Sequence, residues 1–310
     1  MSDEQPLLSI AIPTYNCAHF LRDAVGSVMR QGLDKFELLI IDNASEDNTE
    51  EVVRSFCDER IRYIRNPTNL GSRENGNRCL LNSRGKYVKF LCADDVFLDG
   101  VLIKQLEILE RNPEVALVTC DNFITNELLG VEGEFHALPG VHSGRRVINA
   151  CLGGMTNYIG GPSNVMFRRE QIAGLASDPS YNAVSDLKIY LQLLERGGYA
   201  NIGEMGYLYR LHPTSDTQMN CPQELSLSEH LRLLGEFDAW NPLNCAKALR
   251  IAGAAGAISV RAHWREACRP GRIAMAVRSL PDVIHMGRIW RRGNNWRHQQ
   301  LHPTAFSENQ

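Results

Sequence analysis

The chain has 310 residues, 44% of them hydrophobic and 22% charged, with a net charge of −3. That suits one large globular domain plus an extension and excludes nucleic-acid binding driven by overall charge. Nine cysteines, an odd number with no CxxC pair, argue against a disulfide framework or a zinc site and for reduced, mostly inert core thiols.

The first stretch alternates short apolar runs with helix-like segments, the pattern of βαβ units and a mostly parallel sheet. "LLSIAIP" reads as a strand stopped by Pro13. "AHFLRDAVGSVMRQG" carries apolar residues at helical spacing and ends on Gly. "FELLIID" is a second strand, and "SEDNTEEVVRSFC" opens with capping residues and continues as a helix. "RIRYIRN" and "SRENGNRCLLNS" give a third strand and helix. "KYVKFLC" is a fourth strand, apolar enough for burial on both faces. "DGVLIKQLEILERNP" is a helix closed by Asn-Pro, and "VALVTCDNF" a fifth strand.

Beyond Phe123 the pattern changes. Residues 126–160, rich in Gly and polar groups, read as a hairpin or loop region. "SNVMFRRE" reads as a strand, "SDLKIYLQLLERG" as a helix and "YANIGEMGYLYRLHP" as a strand pair. From Pro222 the chain reads as helical. From Arg261 onward it holds nine arginines, no lysine and three acids. The opening "MSDEQPLLSI" lacks the basic and apolar regions of a secretory leader, and no apolar run reaches about 18 residues. A cytoplasmic protein without a spanning helix is therefore expected.

In open α/β sheets, ligands bind at the carboxyl ends of the parallel strands. Those ends here are "PTYN" (with Pro13, Tyr15 and Asn16), "DNAS" (with Asp42 and Asn43), "NPTNLGS" (with Asn69 and Gly71) and "ADD" (with Asp94 and Asp95). Two adjacent carboxylates at a strand mouth repel each other. Hard oxygen ligands in that position suit Mg²⁺ or Mn²⁺, which bind through one or two carboxylates and substrate phosphates. No GxxxxGK[ST] and no GxGxxG after the first strand are present, so neither a P-loop nor a dehydrogenase grip is available. A metal-held diphosphate in an α/β domain then points to nucleotide-sugar chemistry.

At this point the sequence resembles the family 2 glycosyltransferases, inverting enzymes of the GT-A fold. The matching pieces are "LLSIAIPTYNCAHFLRDAVGSVMRQ", "FELLIIDNASEDNTEEVV", "RIRYIRNPTNLGSRENGN", "KYVKFLCADDVF", "GGPSNVMFRRE", "SDLKIYLQLLERGG" and "LYRLHPTSDT". The resemblance implies a GT-A domain over residues 1–221, with a nucleotide-binding half at about 6–122 and an acceptor half at about 123–221, followed by a helical, Arg-rich extension over 222–310. It implies transfer of a sugar from a nucleotide diphosphate, a UDP- or dTDP-sugar being favoured, to a hydroxyl of a saccharide or lipid-linked saccharide in cell-surface polysaccharide synthesis. Carried over by position, Asp95 would hold the cation, with His212 beside it and Arg210 a further candidate. Asp94 would contact the ribose, Tyr15 would flank the base, and Asp186 would be the catalytic base. Pro13, Asn16, Asp42, Asn43, Asn69, Gly71 and Arg73 would complete the nucleotide site.

Two departures bear on this. Asn43 stands where many members have a second Asp, and Gly76 stands where many have Arg, so Arg73 or Arg78 would have to supply the charge. They keep open a non-catalytic nucleotide-sugar-binding module. A sugar nucleotidyltransferase fits less well, because "PTYNCAHF" has no basic Gly-rich loop. Residue by residue, plainer roles also exist: Asp94 and Asp95 as turn and cap, Asp186 as a helix-start residue, His212 as a strand-end residue, Asn69 as a turn former. The tail reads as a solvated helical face, a protein contact or, slightly favoured because Trp290 and Trp296 sit among its arginines, a peripheral membrane contact.

Overall fold

The computed structural model of the protein describes residues 5–154 and 156–215 and, further on, Glu229, His230, Arg232, Leu233, Glu236 and Phe237. The first strands are β1 (Leu8–Thr14), β2 (Phe36–Asp42), β3 (Ile61–Arg65) and β4 (Tyr87–Phe90). Between them run α1 (Ala18–Met29), α2 (Thr49–Arg54) and α3 (Ser72–Asn82). β1 pairs in parallel with both β2 and β4, and β2 with β3.

Alternation along these strands divides the core. Ile10, Ile12, Leu38 and Ile40 pack with Leu21 and Val25 of α1 on one face. Ala11, Leu39 and Ile41 meet Cys79 of α3 on the other. Burial on both faces is why these segments read as continuous apolar runs.

The chain continues through β5 (Val96–Phe97), α4 (Val101–Arg111), β6 (Val115–Thr125), β7 (Val131–Phe135), β8 (Val141–His142), α5 (Gly144–Gly154), β9 (Met166–Arg168), α6 (Ser185–Leu194) and β10 (Gly198–Arg210). The sheet order is β3-β2-β1-β4-β9-β6-β10-β5, with β7 on β6 and β8 on β10. β9 runs antiparallel to both β4 and β6 and separates them. The fifth predicted strand, β6, is therefore not the next member of the parallel row. Arg168 makes the short β9 a clamp. Its guanidinium donates to the carbonyls of Leu109, Asn112 and Val115 and to the Tyr87 hydroxyl, which satisfies carbonyls at the end of α4.

Two expectations are corrected. Residues 126–160 do hold a hairpin strand, β7, antiparallel to β6, but also a helix, α5, whose Val147, Ile148, Cys151 and Leu152 are buried. Its flanking glycines made that segment look like a loop. Gly144 is required by packing: a Cβ there would come within 1.8 Å of the Leu194 carbonyl oxygen. The predicted strand pair from Tyr199 is a single strand, β10, with register shifts between Asn201 and Tyr207. A bulge absorbs the irregularity that read as a turn.

Among the described residues no helix is long and apolar enough to cross a membrane, and the cysteines at positions 57, 79, 92, 120 and 151 form no disulfide. The expected membrane contact through Trp290, Trp296 and the arginines lies outside the described residues. Of the expected helix after Pro222, residues 229, 230, 232, 233 and 236 are helical.

One core position conflicts with the pattern. Lys89 of β4 is 0% exposed. Its Nζ has no hydrogen-bond partner among the described residues and lies 5.2 Å from the Phe97 ring centre. Burial pulls its pKa down from 10.5 to about 8. A base whose pKa is lowered by folding binds fewer protons when folded, so stability rises as the pH climbs from about 8 toward 10.5, by roughly 3 kcal/mol in full. We expect Lys89→Met to raise the thermal midpoint at pH 7 by roughly 5 °C and to flatten its rise between pH 8 and 10. An unmoved midpoint in a melting series would show that the ammonium is compensated.

Candidate active site

The ends of β1, β2 and β3 are stitched into one rim. Asn43 N donates to the Thr14 carbonyl at 2.8 Å, and Asn66 N to the Asp42 carbonyl at 2.7 Å. Asn16, at φ +50°, crosses from the first loop to the second. Its N–H donates to Ser45 Oγ and its Oδ1 accepts from Glu46 N. Tyr15 stands out from this rim at 43% exposure.

The side chains beneath the rim are committed to the scaffold. Asp42 accepts from Ser45 N and Oγ and, at 2.6 Å, from the Tyr63 hydroxyl. Asn43 Oδ1 accepts from Asn66 Nδ2 and Leu70 N, and Asn43 Nδ2 donates to Asn69 Oδ1. Asn69 also accepts from Gly71 N, forming the turn into α3, and Gly71 at φ +84° needs the conformational freedom of glycine. In this arrangement Asn43 and Asn69 shape the rim and offer little of their hydrogen-bonding capacity to a base.

The carboxylate pair follows β4. Asp95 is 1% exposed. Ser163 Oγ donates to its Oδ2 at 2.6 Å and Arg210 N to its Oδ1 at 3.1 Å. Burial, and then the neighbouring Asp94 charge, hold the Asp95 carboxyl well above the usual range, while Ser163 and Arg210 pull it back. Asp94 faces His212, with Oδ2 2.9 Å from Nε2, and the other ring nitrogen lies 3.0 Å from Thr214 Oγ1. His212 therefore meets the pair through Asp94, not through Asp95. The Arg210 guanidinium turns away to Asp23 at 3.0 Å and over the Phe20 ring at 4.4 Å.

Cys92 Sγ and the two carboxylates lie within 4.8 Å of one another. Two close carboxylates, one of them buried and destabilised as an anion, fit a divalent cation that would offset both their repulsion and their burial. The residues present therefore suit an Mn²⁺- or Mg²⁺-type ion.

A cavity of about 950 Å³ opens beside the pair. Pro13, Gly71, Arg73, Cys92 and Asp186 line it, with α3 on one side and the start of α6 on the other. Asp186 occupies the second position of α6 and does not cap it. Its Oδ1 accepts from the adjoining Leu187 N, at 2.8 Å. Burial raises its pKa to about 6. Arg73 is fastened to the Tyr181 carbonyl and the Asn182 side chain, and Arg78 donates to Asn66 Oδ1. At Gly76 a Cβ would meet nothing within 4 Å, so the family arginine's position is open space.

Ser163 was not singled out in the sequence. It lies in a short 3-10 turn, Pro162–Asn164, and its Oγ also accepts from Cys92 N at 3.0 Å. Only the proximity of "PSN" to a strand motif signalled it, and the contact to Asp95 spans 68 residues.

A mostly parallel sheet with a carboxylate pair at the end of its fourth strand, and an acid-bearing helix across the adjoining cavity, defines a GT-A glycosyltransferase. The family model for glycosyl transferase family 2 matches residues 9–173, more than half of the chain, and the chain belongs to that family. TuaG of Bacillus subtilis, whose name assigns it to teichuronic acid biosynthesis, is 29% identical over 64% of this chain and 75% of its own. The Escherichia coli UDP-Glc:α-D-GlcNAc-diphosphoundecaprenol β-1,3-glucosyltransferase WfaP is 25% identical over 74% of this chain and 87% of its own. Among solved structures, S. aureus TarS in complex with UDP-GlcNAc superposes with a TM-score of 0.60 at 14% identity, over 78% of this chain and 70% of that one. The protein is thus a glycosyltransferase.

Removing the hydroxyl that holds Asp95 leaves the carboxylate free to turn. We expect Ser163→Ala to weaken Mn²⁺ binding by about tenfold or more, the scale of a lost outer-shell partner. Titration calorimetry with the metal alone reads this, and equal affinity would show that Ser163 does not set the ligand.

Proposed function

We propose that the protein is an inverting transferase that moves a sugar from a nucleotide diphosphate, a UDP- or dTDP-sugar, to a hydroxyl of a saccharide or lipid-linked saccharide in cell-surface polysaccharide synthesis. The observation that carries this is Cys92: its Sγ lies within 4.8 Å of the Asp94 and Asp95 carboxylates and it lines the same cavity as Asp186, so the metal-type pair adjoins the cavity that holds the candidate base. TuaG and WfaP, named for cell-envelope polysaccharides and a lipid-linked acceptor, support the acceptor class.

In this reading Asp95 holds the cation with His212 close by, Asp94 contacts the ribose, and Pro13, Tyr15, Asn16, Gly71 and Arg73 frame the nucleotide above Asp42, Asn43 and Asn69. When bound, the divalent ion supplies Lewis-acid stabilisation to the departing nucleoside diphosphate. The acceptor oxygen attacks the anomeric carbon in line, the bond from that carbon to the phosphate oxygen breaks, and the acceptor proton passes to an Asp186 carboxylate oxygen. A carboxyl with a pKa of about 6 is mostly ionised at neutral pH and still basic enough to take that proton. Residues 6–122 would serve the nucleotide and 123–221 the acceptor. Residues 222–310 would form the helical extension, with its arginine-rich end at the inner face of the membrane.

Two outcomes test the reading. In calorimetry, one of UDP, dTDP and GDP should bind only with Mn²⁺, and Asp95→Ala should lose that binding. Metal-independent binding that survives the substitution would return the pair to a turn and cap. The base must be deprotonated to act, so kcat/KM should be flat above about pH 6 and fall tenfold per unit below it. Asp186→Asn should lower kcat by at least about 100-fold while leaving nucleotide affinity intact. Nucleotide binding with no turnover in the unaltered protein would favour a non-catalytic module.

A further inference from the structure

Helix α6, which carries Asp186, begins without a cap of its own. The residue at its N-cap is Val184, and no side chain bonds back from that position. The amides of the loop that leads into it are met from another part of the chain. Glu229 Oε1 accepts from Asn182 N at 2.8 Å, and Oε2 accepts from Ala183 N at 2.8 Å and Val184 N at 3.1 Å. Glu229 is 2% exposed. Three convergent N–H donors on one buried carboxylate form a built anion seat, stronger than a hydroxyl cap because the acceptor is charged.

The loop so held is also a wall of the cavity, through Asn182, Ala183 and Ser185. On its other side α3 grips it through Arg73 on the Tyr181 carbonyl at 2.8 Å. The segment that carries Glu229 is itself anchored. Leu233 and Phe237 are buried in the same core cluster as Leu187 and Leu191, and Glu236 Oε1 accepts from the Tyr181 hydroxyl at 2.5 Å.

We propose that Glu229 is a positioning residue for the transfer reaction: by binding the amides of 182–184 it fixes the start of α6, and with it the Asp186 carboxylate, against the cavity. This rests on the reading of Asp186 as the base, and it makes the segment after the predicted transferase domain a working part of the site. Glu229 touches neither substrate nor reacting atoms. It acts through the backbone, by denying the loop alternative positions.

The groups that face Asp186 are the Cys92 thiol after β4 and the Tyr190 hydroxyl of its own helix, both held neutral by burial. Arg73 of α3 approaches through Asn182, and Glu229 approaches through the loop amides. Freeing the loop admits water to Asp186, which lowers the pKa of a carboxyl raised by burial.

The test uses the full chain labelled with ¹³C-carboxyl aspartate, the Asp186 signal being assigned by its loss in Asp186→Asn. In Glu229→Gln, an amide replaces the anion and sets its own N–H groups against the loop donors. Its Asp186 titration midpoint should fall by at least half a pH unit, and hydrogen exchange at 182–184 should quicken at least tenfold. UDP affinity with Mn²⁺ should stay within twofold of the unaltered protein. Nucleotide release from UDP-glucose, where the protein accepts that donor, should lose kcat with KM nearly unchanged. Glu37→Gln, a change to a buried carboxylate of β2 that accepts from the Arg84 amide, controls for general loosening and should leave the midpoint in place. An unmoved midpoint in Glu229→Gln, or an equal shift in Glu37→Gln, overturns the proposal. Full turnover by Asp186→Asn overturns the base assignment, whereas turnover lost in Asp186→Asn but kept in Glu229→Gln overturns the role of Glu229 alone.

Discussion

The least comfortable group in this protein is the carboxylate of Asp95, and the arrangement around it follows from keeping an anion where burial disfavours one. A lone ionised carboxyl taken out of water is expensive unless hydrogen bonds or a cation compensate it. Here a serine hydroxyl and a backbone N–H bond its two oxygens, while Asp94 next to it makes the problem worse. The local structure is thus incomplete as a charge distribution and complete as a receptor for positive charge. The same burial that raises Asp95 makes a cation held there act strongly on a diphosphate, because little water competes.

The compensation depends on the antiparallel strand wedged between β4 and β6. Its lead-in turn brings Ser163 behind Asp95, and Asn164, one residue on, joins the Cys120 carbonyl, the Asn122 side chain and the Tyr207 hydroxyl. Arg168 at the other end of the strand closes α4. One short segment therefore locks the two parallel halves of the sheet and fixes the orientation of the metal-type ligand. The cavity between α3 and α6 lies beside this junction, so the candidate base and the carboxylate pair are held by opposite sides of a single seam.

How much of this was legible in the sequence depended on how local the cause was. The parallel strands β1 to β4 and helices α1 to α4 were readable because two-sided burial writes itself as apolar runs and one-sided burial as a 3.6-residue period. The carboxylate pair was readable because repulsion between Asp94 and Asp95 needs an explanation within the motif itself. Helix α5 was missed because Gly144 at its start serves close packing against Leu194, a reason that exists only in three dimensions. β10 read as two strands because a bulge and a turn share residues. The roles of Ser163 and Glu229 were beyond local reading, since their partners lie 68 residues away in one case and 45 to 47 in the other. Asn43 read as part of the nucleotide site, and its amide is met in the structure by Asn66, Asn69 and the Leu70 N–H, contacts that no local pattern announces.

The bond from the Arg210 amide to Asp95 joins residues 115 positions apart. On a ribosome adding about 5–20 residues per second, that separation is roughly 6 to 23 seconds of synthesis. Throughout that interval β1 to β4 have emerged, yet one of the two bonds that hold Asp95 in its buried place has not. A nascent chain of this length would therefore keep the strand-4 mouth hydrated and its carboxylates apart until the last strand of the sheet arrives. Closure around Asp95 is in this sense a late event, gated by translation of β10 rather than by folding of β1 to β4.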